Sequence, residues 1–243
     1  MQKKILRVLV SAFCLVNLTT VCASGATVPT EIIGGSTIEE IDSSILEENN
    51  LKYNIAQKSA RAITATSKIN YIGNFRQEKN YSCGPATIRN LAQGYVSKNG
   101  GTVPSEATLI KELGTTTSGT ALGSTFVNVL NKYVPGNNYT LQLGTGFTQA
   151  TWETKLRNIM PYTINKAGNY GVVVNLYHGS QSAAYCVNDF YAGKSVAHYV
   201  AAYGYSDGRV YISDSNNYMT GSRLYDTGYY SLAKSSISRG VIW

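Results

Sequence analysis

The chain has 243 residues, which is enough for one good-sized domain and a leader segment. Its formal net charge of +7 falls to +4 without Lys3, Lys4 and Arg7, which lie in a segment that we expect to be removed. No run of Lys or Arg remains to follow a phosphate backbone, so we do not expect nucleic-acid binding.

Residues 1–26 have the three parts of an export signal. A basic start is followed by an apolar run over residues 5–16, and then by small residues that allow cleavage after Ala23 or Ala26. The apolar run is short for a membrane anchor, which is the alternative interpretation. We therefore expect a protein that is secreted or associated with the cell wall, with no stable membrane insertion after signal cleavage.

Residues 27–68 differ in composition from the rest of the chain. They hold six of the fourteen acidic residues and carry a net charge of −2, whereas residues 69–243 carry +6. Thr37 and Glu40 have the spacing of a capping box, which predicts an amphipathic helix with an acidic face. Four apolar residues follow at helical spacing: Ile38, Ile41, Ile45 and Leu46. An acidic helix beside a basic domain suggests a docked intramolecular prosegment, and a solvated spacer is the alternative.

Helical patterns dominate residues 84–160, and strand patterns follow from residue 170. The predicted helices begin near Pro85, Ser105, Phe126 and Trp152, and the last of them ends at Pro161. The predicted strands are residues 171–177, 196–203, 209–214 and 240–243. Helices followed by strands predict an α+β fold for residues 69–243.

The most informative stretch runs from Gln77 to Cys83 and on into Gly-Pro-Ala-Thr. It places Cys83 at a helix start, where the positive end of the helix dipole favours a thiolate. Cys83 is therefore the candidate nucleophile, with a small core cysteine as the alternative. Gln77 could donate its amide N–H to a developing oxyanion, together with the backbone N–H of Cys83.

Four cysteines become two in the mature protein. Cys14 and Cys22 leave with the signal or lie beside its cleavage site, so Cys83 and Cys186 remain. An exported protein could pair these two in a disulfide, but the bond would consume the proposed nucleophile. We predict that Cys83 is free and that Cys186 is an inert buried thiol.

His198 and Asp214 lie on two consecutive predicted strands joined by a turn at residues 206–208. A two-residue turn would place Ala201 opposite Asp214 and would put His198 on the other face of the sheet. A three-residue turn with its glycine in the left-handed conformation would place Val200 opposite Asp214, with His198 diagonally adjacent on the same face. We predict the three-residue turn, with His198 as base and Asp214 as its orienting group. A core histidine and a strand-end carboxylate are the non-functional alternatives.

Other chemistries lack the residues that they need. The chain has only two histidines and no Cys/His cluster, no Gly-rich phosphate loop and no Gly-x-Ser-x-Gly motif. We therefore expect no metal and no cofactor. His178 is the competing base, but no aspartate occupies a comparable position on a neighbouring strand. We expect it at a strand end, lining the cleft.

The stretch around Cys83 with Gln77 before it, and His198 with Asp214 sixteen residues later, resemble the double-glycine (bacteriocin-processing) peptidase-like family. This family belongs to the papain-like cysteine peptidases. The resemblance implies a helical lobe that starts with the nucleophile's helix and packs on a C-terminal antiparallel sheet. It assigns Gln77, Cys83, His198 and Asp214 the roles of oxyanion helper, nucleophile, base and orienter. Because we expect export, it favours the stand-alone exported members.

Three functions remain open at this point. The first is hydrolysis of peptide bonds in a peptide or protein substrate through a thioester. The second keeps the nucleophile but cleaves a side-chain amide or transfers the acyl group to an amine. The third is a non-catalytic wall-binding or surface-binding protein that uses its nineteen tyrosines for contacts with carbohydrate or peptide.

Overall fold

The computed structural model describes residues 37–39, 41–60, 63 and 66–243. The predicted export signal at residues 1–26, with its cleavage after Ala23 or Ala26, lies outside these residues, as does Glu40. Within them, no helix combines the length and the apolar composition that crossing a membrane requires.

The described residues form six α-helices, seven strands and two short 3₁₀ turns at Ala183–Tyr185 and Asp189–Tyr191. The helices are α1 (Ser43–Ala60), α2 (Cys83–Asn99), α3 (Glu106–Glu112), α4 (Ser124–Tyr133), α5 (Gln149–Ile164) and α6 (Tyr229–Ser236). The strands are β1 (Lys68–Ile69), β2 (Leu141–Leu143), β3 (Val172–Gly179), β4 (Ser195–Ser206), β5 (Arg209–Asp214), β6 (Leu224–Gly228) and β7 (Gly240–Ile242). Most helices precede most strands, and the predicted α+β fold is confirmed.

All seven strands belong to one antiparallel sheet. The strand order is β2-β7-β3-β4-β5-β6, and β1 pairs with the far end of β4. Alternation along β3 sends Val173 into a cluster with α2 and α4, and Val172 and Val174 into a second cluster with α5 and α6. Both faces of the sheet are therefore covered by helices, and the long strand β4 lies between two apolar layers.

The turn between β4 and β5 differs from the prediction. Ser206 pairs with Arg209, so the turn has two residues and the predicted three-residue turn is wrong. Gly208 does adopt the left-handed φ of +74°. The register nevertheless shifts by one residue farther along, because Tyr203 forms a bulge between the paired residues Ala202 and Gly204.

The bulge restores the register on which the site depends. Beyond it, Val200 lies opposite Asp214, which is the pairing that the three-residue turn was expected to produce. Strand β1 packs closely at this point, since a Cβ on Gly204 would lie 3.1 Å from the carbonyl oxygen of Lys68. The backbone N–H of Asn70 also donates to the carbonyl of Tyr203 at 2.9 Å.

The helix α5 continues through Pro161, so its predicted end there is wrong. Proline removes one hydrogen bond of the helix ladder, but the N–H of Asn165 still donates to the Pro161 carbonyl at 3.0 Å. The buried side chains of Met160 and Ile164 on either side of the proline continue the apolar face that packs on the sheet. Tertiary packing therefore carries the helix one turn past its local stop signal.

The helix α1 begins at Ser43, and the predicted capping box at Thr37 is wrong. Residues 37–39 are extended, because Leu122 donates to the Thr37 carbonyl at 2.8 Å and accepts from the N–H of Glu39 at 3.1 Å. The carboxylate of Asp42 accepts from the N–H of Ser44 at 2.9 Å and satisfies a free donor of the first turn instead.

One face of α1 docks through polar contacts on β2, on the residues just before β2 and on the residue that follows β7. Asn49 donates to Gln142 at 3.0 Å and accepts from the indole N–H of Trp243 at 2.9 Å. The buried Nζ of Lys52 donates to the carbonyls of Asn137 and Asn138, at 3.2 and 2.8 Å, and to that of Trp243. Whether residues 27–68 are removed as a prosegment stays a prediction.

We predict that Lys52→Met lowers the free energy of unfolding by about 2–4 kcal/mol, because three buried carbonyls lose their common donor. Urea denaturation measures the change. Lys58→Met is the matched control, since Lys58 is exposed on the same helix and its replacement is expected to leave stability unchanged. Equal effects of the two substitutions would contradict the docking role of Lys52.

Candidate active site

Cys83 is the first residue of α2 and is buried. The carbonyl of Ser82 accepts from the N–H of Ala86 at 3.0 Å and closes the first helical turn. Pro85 fits this turn because its fixed φ is helical and its missing N–H would have no partner there. The sulfur therefore lies where the first backbone N–H groups of the helix, and the positive end of its dipole, are concentrated.

Contacts next to the cysteine hold α2 against β4. The hydroxyl of Thr87 donates to the carbonyl of Tyr199 at 3.1 Å, and the Tyr199 hydroxyl donates to the carbonyl of Thr120 at 3.2 Å. Gly84 allows the close approach of this loop, because a Cβ there would lie 2.7 Å from Oγ1 of Thr120. The start of α2 is thereby fixed beside the strand that carries His198.

His198 and Asp214 form a pair with no exposed surface. Nε2 of His198 donates to Oδ1 of Asp214 at 2.7 Å. Since Val200 lies opposite Asp214, His198 is its diagonal neighbour on the same face, which is the relation that makes this contact possible. The bulge at Tyr203, rather than the turn, produces that relation.

Three further residues bind Asp214 and were not identified from the sequence. The hydroxyls of Tyr191 and Tyr225 donate to Oδ2 at 2.7 and 2.9 Å, and the backbone N–H of Asn216 donates to Oδ1 at 2.9 Å. The Asn216 contact is an Asp side chain bonded two residues ahead, a turn that the sequence Asp-Ser-Asn could have indicated. No local pattern marks the two tyrosines.

These contacts set the charges of the pair. Burial raises the pKa of Asp214, but the charge of His198 and the donors from His198, Tyr191 and Asn216 outweigh it, so the pKa is lowered. Burial lowers the pKa of His198, but the Asp214 carboxylate, and to a smaller extent Cys83, raise it to about 10. His198 is therefore an imidazolium at neutral pH.

Nδ1 is the ring nitrogen of His198 that remains for Cys83, because Nε2 is bound to Asp214. It is buried and has no hydrogen-bond partner among the described residues. Cys83 interacts with the imidazole and contributes to its raised pKa. The sulfur at the start of α2 therefore lies close enough to the imidazole of β4 to affect its pKa.

Gln77 lies buried beside the end of β5. Its backbone N–H donates to the carbonyl of Ser215 at 2.8 Å, and its Nε2 donates to the carbonyl of Lys79 at 2.9 Å. The hydroxyl of Ser215 donates to Oε1 at 3.4 Å and orients the amide. An amide nitrogen carries two protons, so one N–H of Nε2 remains for a further acceptor.

The comparison with known families agrees with this arrangement. A profile of the Peptidase_C39 like family matches residues 69–236, which contain Gln77, Cys83, His198 and Asp214. The chain belongs to the peptidase C39-like family. The resemblance to a papain-like cysteine peptidase is thereby confirmed at the level of the family.

Two other comparisons add little to this assignment. A candidate C39-like peptidase from Bacillus anthracis has a solved structure that is 14% identical to this chain. The match covers 72% of this chain and 96% of that one, with a TM-score of 0.45, and a likeness of this strength carries no argument about activity. No curated protein matches the chain.

Two further reactive side chains of this member of the C39-like family are Cys186 and His178. Cys83 and Cys186 are both free and buried, as predicted. His178 does not line an open cleft, since it is fully buried and stacks on Tyr191 with ring centroids 4.7 Å apart. Burial, and then the charge of His198, lower the pKa of His178 to about 4, so it is neutral at pH 7. It supports the ring of Tyr191, and through that ring Asp214.

We predict that Tyr191→Phe and Tyr225→Phe together destabilise the fold by more than the sum of the single changes. Each single change leaves Oδ2 of Asp214 with one hydroxyl donor. The double change removes both hydroxyl donors from this buried oxygen, which costs roughly 1–3 kcal/mol of stability. Urea denaturation of the four proteins measures the coupling. Tyr230→Phe, at an exposed position, is the control. Simple additivity would show that the two hydroxyls act independently.

Proposed function

We propose that this protein is an exported cysteine peptidase that hydrolyses peptide bonds through a thioester on Cys83. One observation carries the proposal. A buried His198–Asp214 pair, joined at 2.7 Å, occurs with a cysteine at a helix start that raises the pKa of the histidine, in a member of a peptidase family. An arrangement of nucleophile, base and orienting carboxylate is what acyl transfer to a thiol requires.

The first step is attack by the sulfur on the scissile carbonyl. His198 holds the thiol proton as an imidazolium, which Asp214 stabilises from the opposite ring nitrogen. The Sγ–C bond forms while the electron pair of the C=O double bond moves to oxygen. The four donors on Asp214 keep its carboxylate ionised and directed at the imidazole throughout.

The negative charge on the carbonyl oxygen needs donors that are already in place. The backbone N–H of Cys83 belongs to the first turn of α2, and Gln77 supplies the N–H that is not bonded to Lys79. Both groups end the same short turn of residues 78–82, so their separation is set by that turn.

Collapse of the tetrahedral intermediate releases the amine. His198 gives its proton to the leaving nitrogen as the C–N bond breaks, and a thioester remains on Cys83. Water then attacks the thioester with His198 as the base, which releases the acid and restores the thiol. The substrate is a peptide or a protein.

A mixed peptide library with a competing amine, read by mass spectrometry, tests the proposal. We expect the wild-type protein to produce new peptide termini and some amine-capped products, because a thioester can be captured by either nucleophile. Cys83→Ala is expected to abolish both, and Cys186→Ala, which removes the other free thiol, is expected to retain them. Cleavage that survives in Cys83→Ala would contradict the proposal, and capped products without hydrolysis would indicate a transferase.

The charge of His198 sets the alkaline limit of activity. Its pKa is raised to about 10, so the proton needed by the leaving amine is present below that pH and is lost as the pH rises through it. Asp214→Asn removes the carboxylate that raises this pKa, so burial then lowers it. We predict that kcat/KM falls on the order of 100-fold and that the alkaline limb of its pH profile moves to lower pH.

The measurement is kcat/KM for a cleaved peptide across the pH range. Asp226→Asn is the matched control, because that carboxylate is exposed and pairs with Arg209 instead. If kcat/KM falls at the same alkaline pH in both variants, Asp214 does not determine the charge of His198.

A further inference from the structure

A second buried carboxylate lies close to the proposed site. Among the described residues, Asp214 and Glu106 are the two carboxylates that are fully buried. Glu106 is the first residue of α3, and burial raises its pKa. Burying an acid costs free energy unless its hydrogen bonds return it, so the partners of Glu106 indicate what the residue does.

Both partners of Glu106 belong to one short turn. Its Oε1 accepts from the backbone N–H of Glu78 at 2.7 Å and from the hydroxyl of Ser82. Glu78 directly follows Gln77, and Ser82 directly precedes Cys83. One carboxylate oxygen therefore joins the two ends of the turn that separates the proposed oxyanion donors.

The hydrogen bonds inside the turn depend on where Ser82 sends its single hydroxyl proton. Lys79 and Glu106 both offer an acceptor within reach of that hydroxyl. The hydroxyl donates to Oε1 of Glu106, which also accepts from the backbone N–H of Glu78. The carbonyl of Lys79 is then left to the N–H of Ser82 at 3.2 Å and to Nε2 of Gln77 at 2.9 Å. This bond to Gln77 orients its amide together with the Ser215 hydroxyl.

We propose that Glu106 is a positioning residue that holds Gln77 and the N–H of Cys83 at the separation needed to bind an oxyanion. Its other oxygen, Oε2, has no hydrogen-bond partner among the described residues, so its hydrogen bonds are directed at this turn. This inference rests on the proposed function, since it gives a role in the same site to a residue that touches neither substrate nor sulfur.

Two reagents that attack the same sulfur separate this role from a general structural one. A peptide aldehyde forms an Sγ–C bond while the electron pair of its C=O bond moves to oxygen, so its affinity depends on the oxyanion donors. Iodoacetamide is attacked at a saturated carbon and releases iodide, so its rate depends on the thiol and on His198 only. The ratio of aldehyde affinity to alkylation rate therefore reports how well the turn at residues 78–82 positions the oxyanion donors.

We expect Glu106→Ala to weaken aldehyde affinity by roughly 10- to 100-fold while the alkylation rate of Cys83 stays unchanged. Glu106→Gln keeps an oxygen acceptor but replaces the carboxyl group with an amide, so we expect a smaller loss of several-fold. The double variant with Gln77→Ala is expected to lose less than the product of the two single losses, because both act on one donor pair. Glu112→Gln, at the other end of α3, is the control.

Several results would overturn the inference. These are equal losses with both reagents, no loss of aldehyde affinity in Glu106→Ala, or a wild-type protein that does not bind the aldehyde. If Glu106→Ala does not fold, Glu106→Gln decides alone, and unchanged aldehyde affinity in that variant rejects the role. A wild-type protein that binds the aldehyde but cleaves no peptide would reject the proposed function while this test still applies.

Discussion

A charged pair in the dry interior is the constraint on which the rest of the structure depends. His198 and Asp214 expose no surface, and each would be costly to bury alone. The cost is offset because the pair is joined at 2.7 Å and because Tyr191, Tyr225 and Asn216 saturate the carboxylate. These donors come from the 3₁₀ turn before β4, from β6 and from the residues after β5, so the fold must bring all of them to one point.

The sheet meets this requirement through a β-bulge that interrupts the regular pairing of β4 and β5. A regular hairpin closed by the two-residue turn would have put His198 and Asp214 on opposite faces. The extra residue Tyr203 reverses the alternation between the turn and the site, and the short strand β1 packs against the bulged segment. The bulge at Tyr203 lies several residues away from His198 along β4, and it decides which side chains meet.

Buried polar side chains connect distant segments elsewhere in the molecule in the same way. Glu106 joins the two ends of the turn before Cys83, and Lys52 joins α1 to the carbonyls of residues 137, 138 and 243. Thr87 and Tyr199 join α2 to the strand that carries His198. In each case buried hydrogen bonds fix the relative position of two segments that are far apart in sequence.

Local patterns were sufficient for the α+β order, for β5 at its observed bounds and for a cysteine at a helix start, because each depends on neighbours in the chain: Pro85 after Cys83, or alternation along residues 209–214. The same patterns failed at Pro161 and Thr37, where packing on the sheet and pairing with Leu122 override the local preference. Only the tertiary structure decided the bulge at Tyr203, the tyrosines on Asp214 and the hydrogen bonds of Glu106. These depend on contacts between residues far apart in sequence, and a side chain gives no local sign of the partner that will bury it.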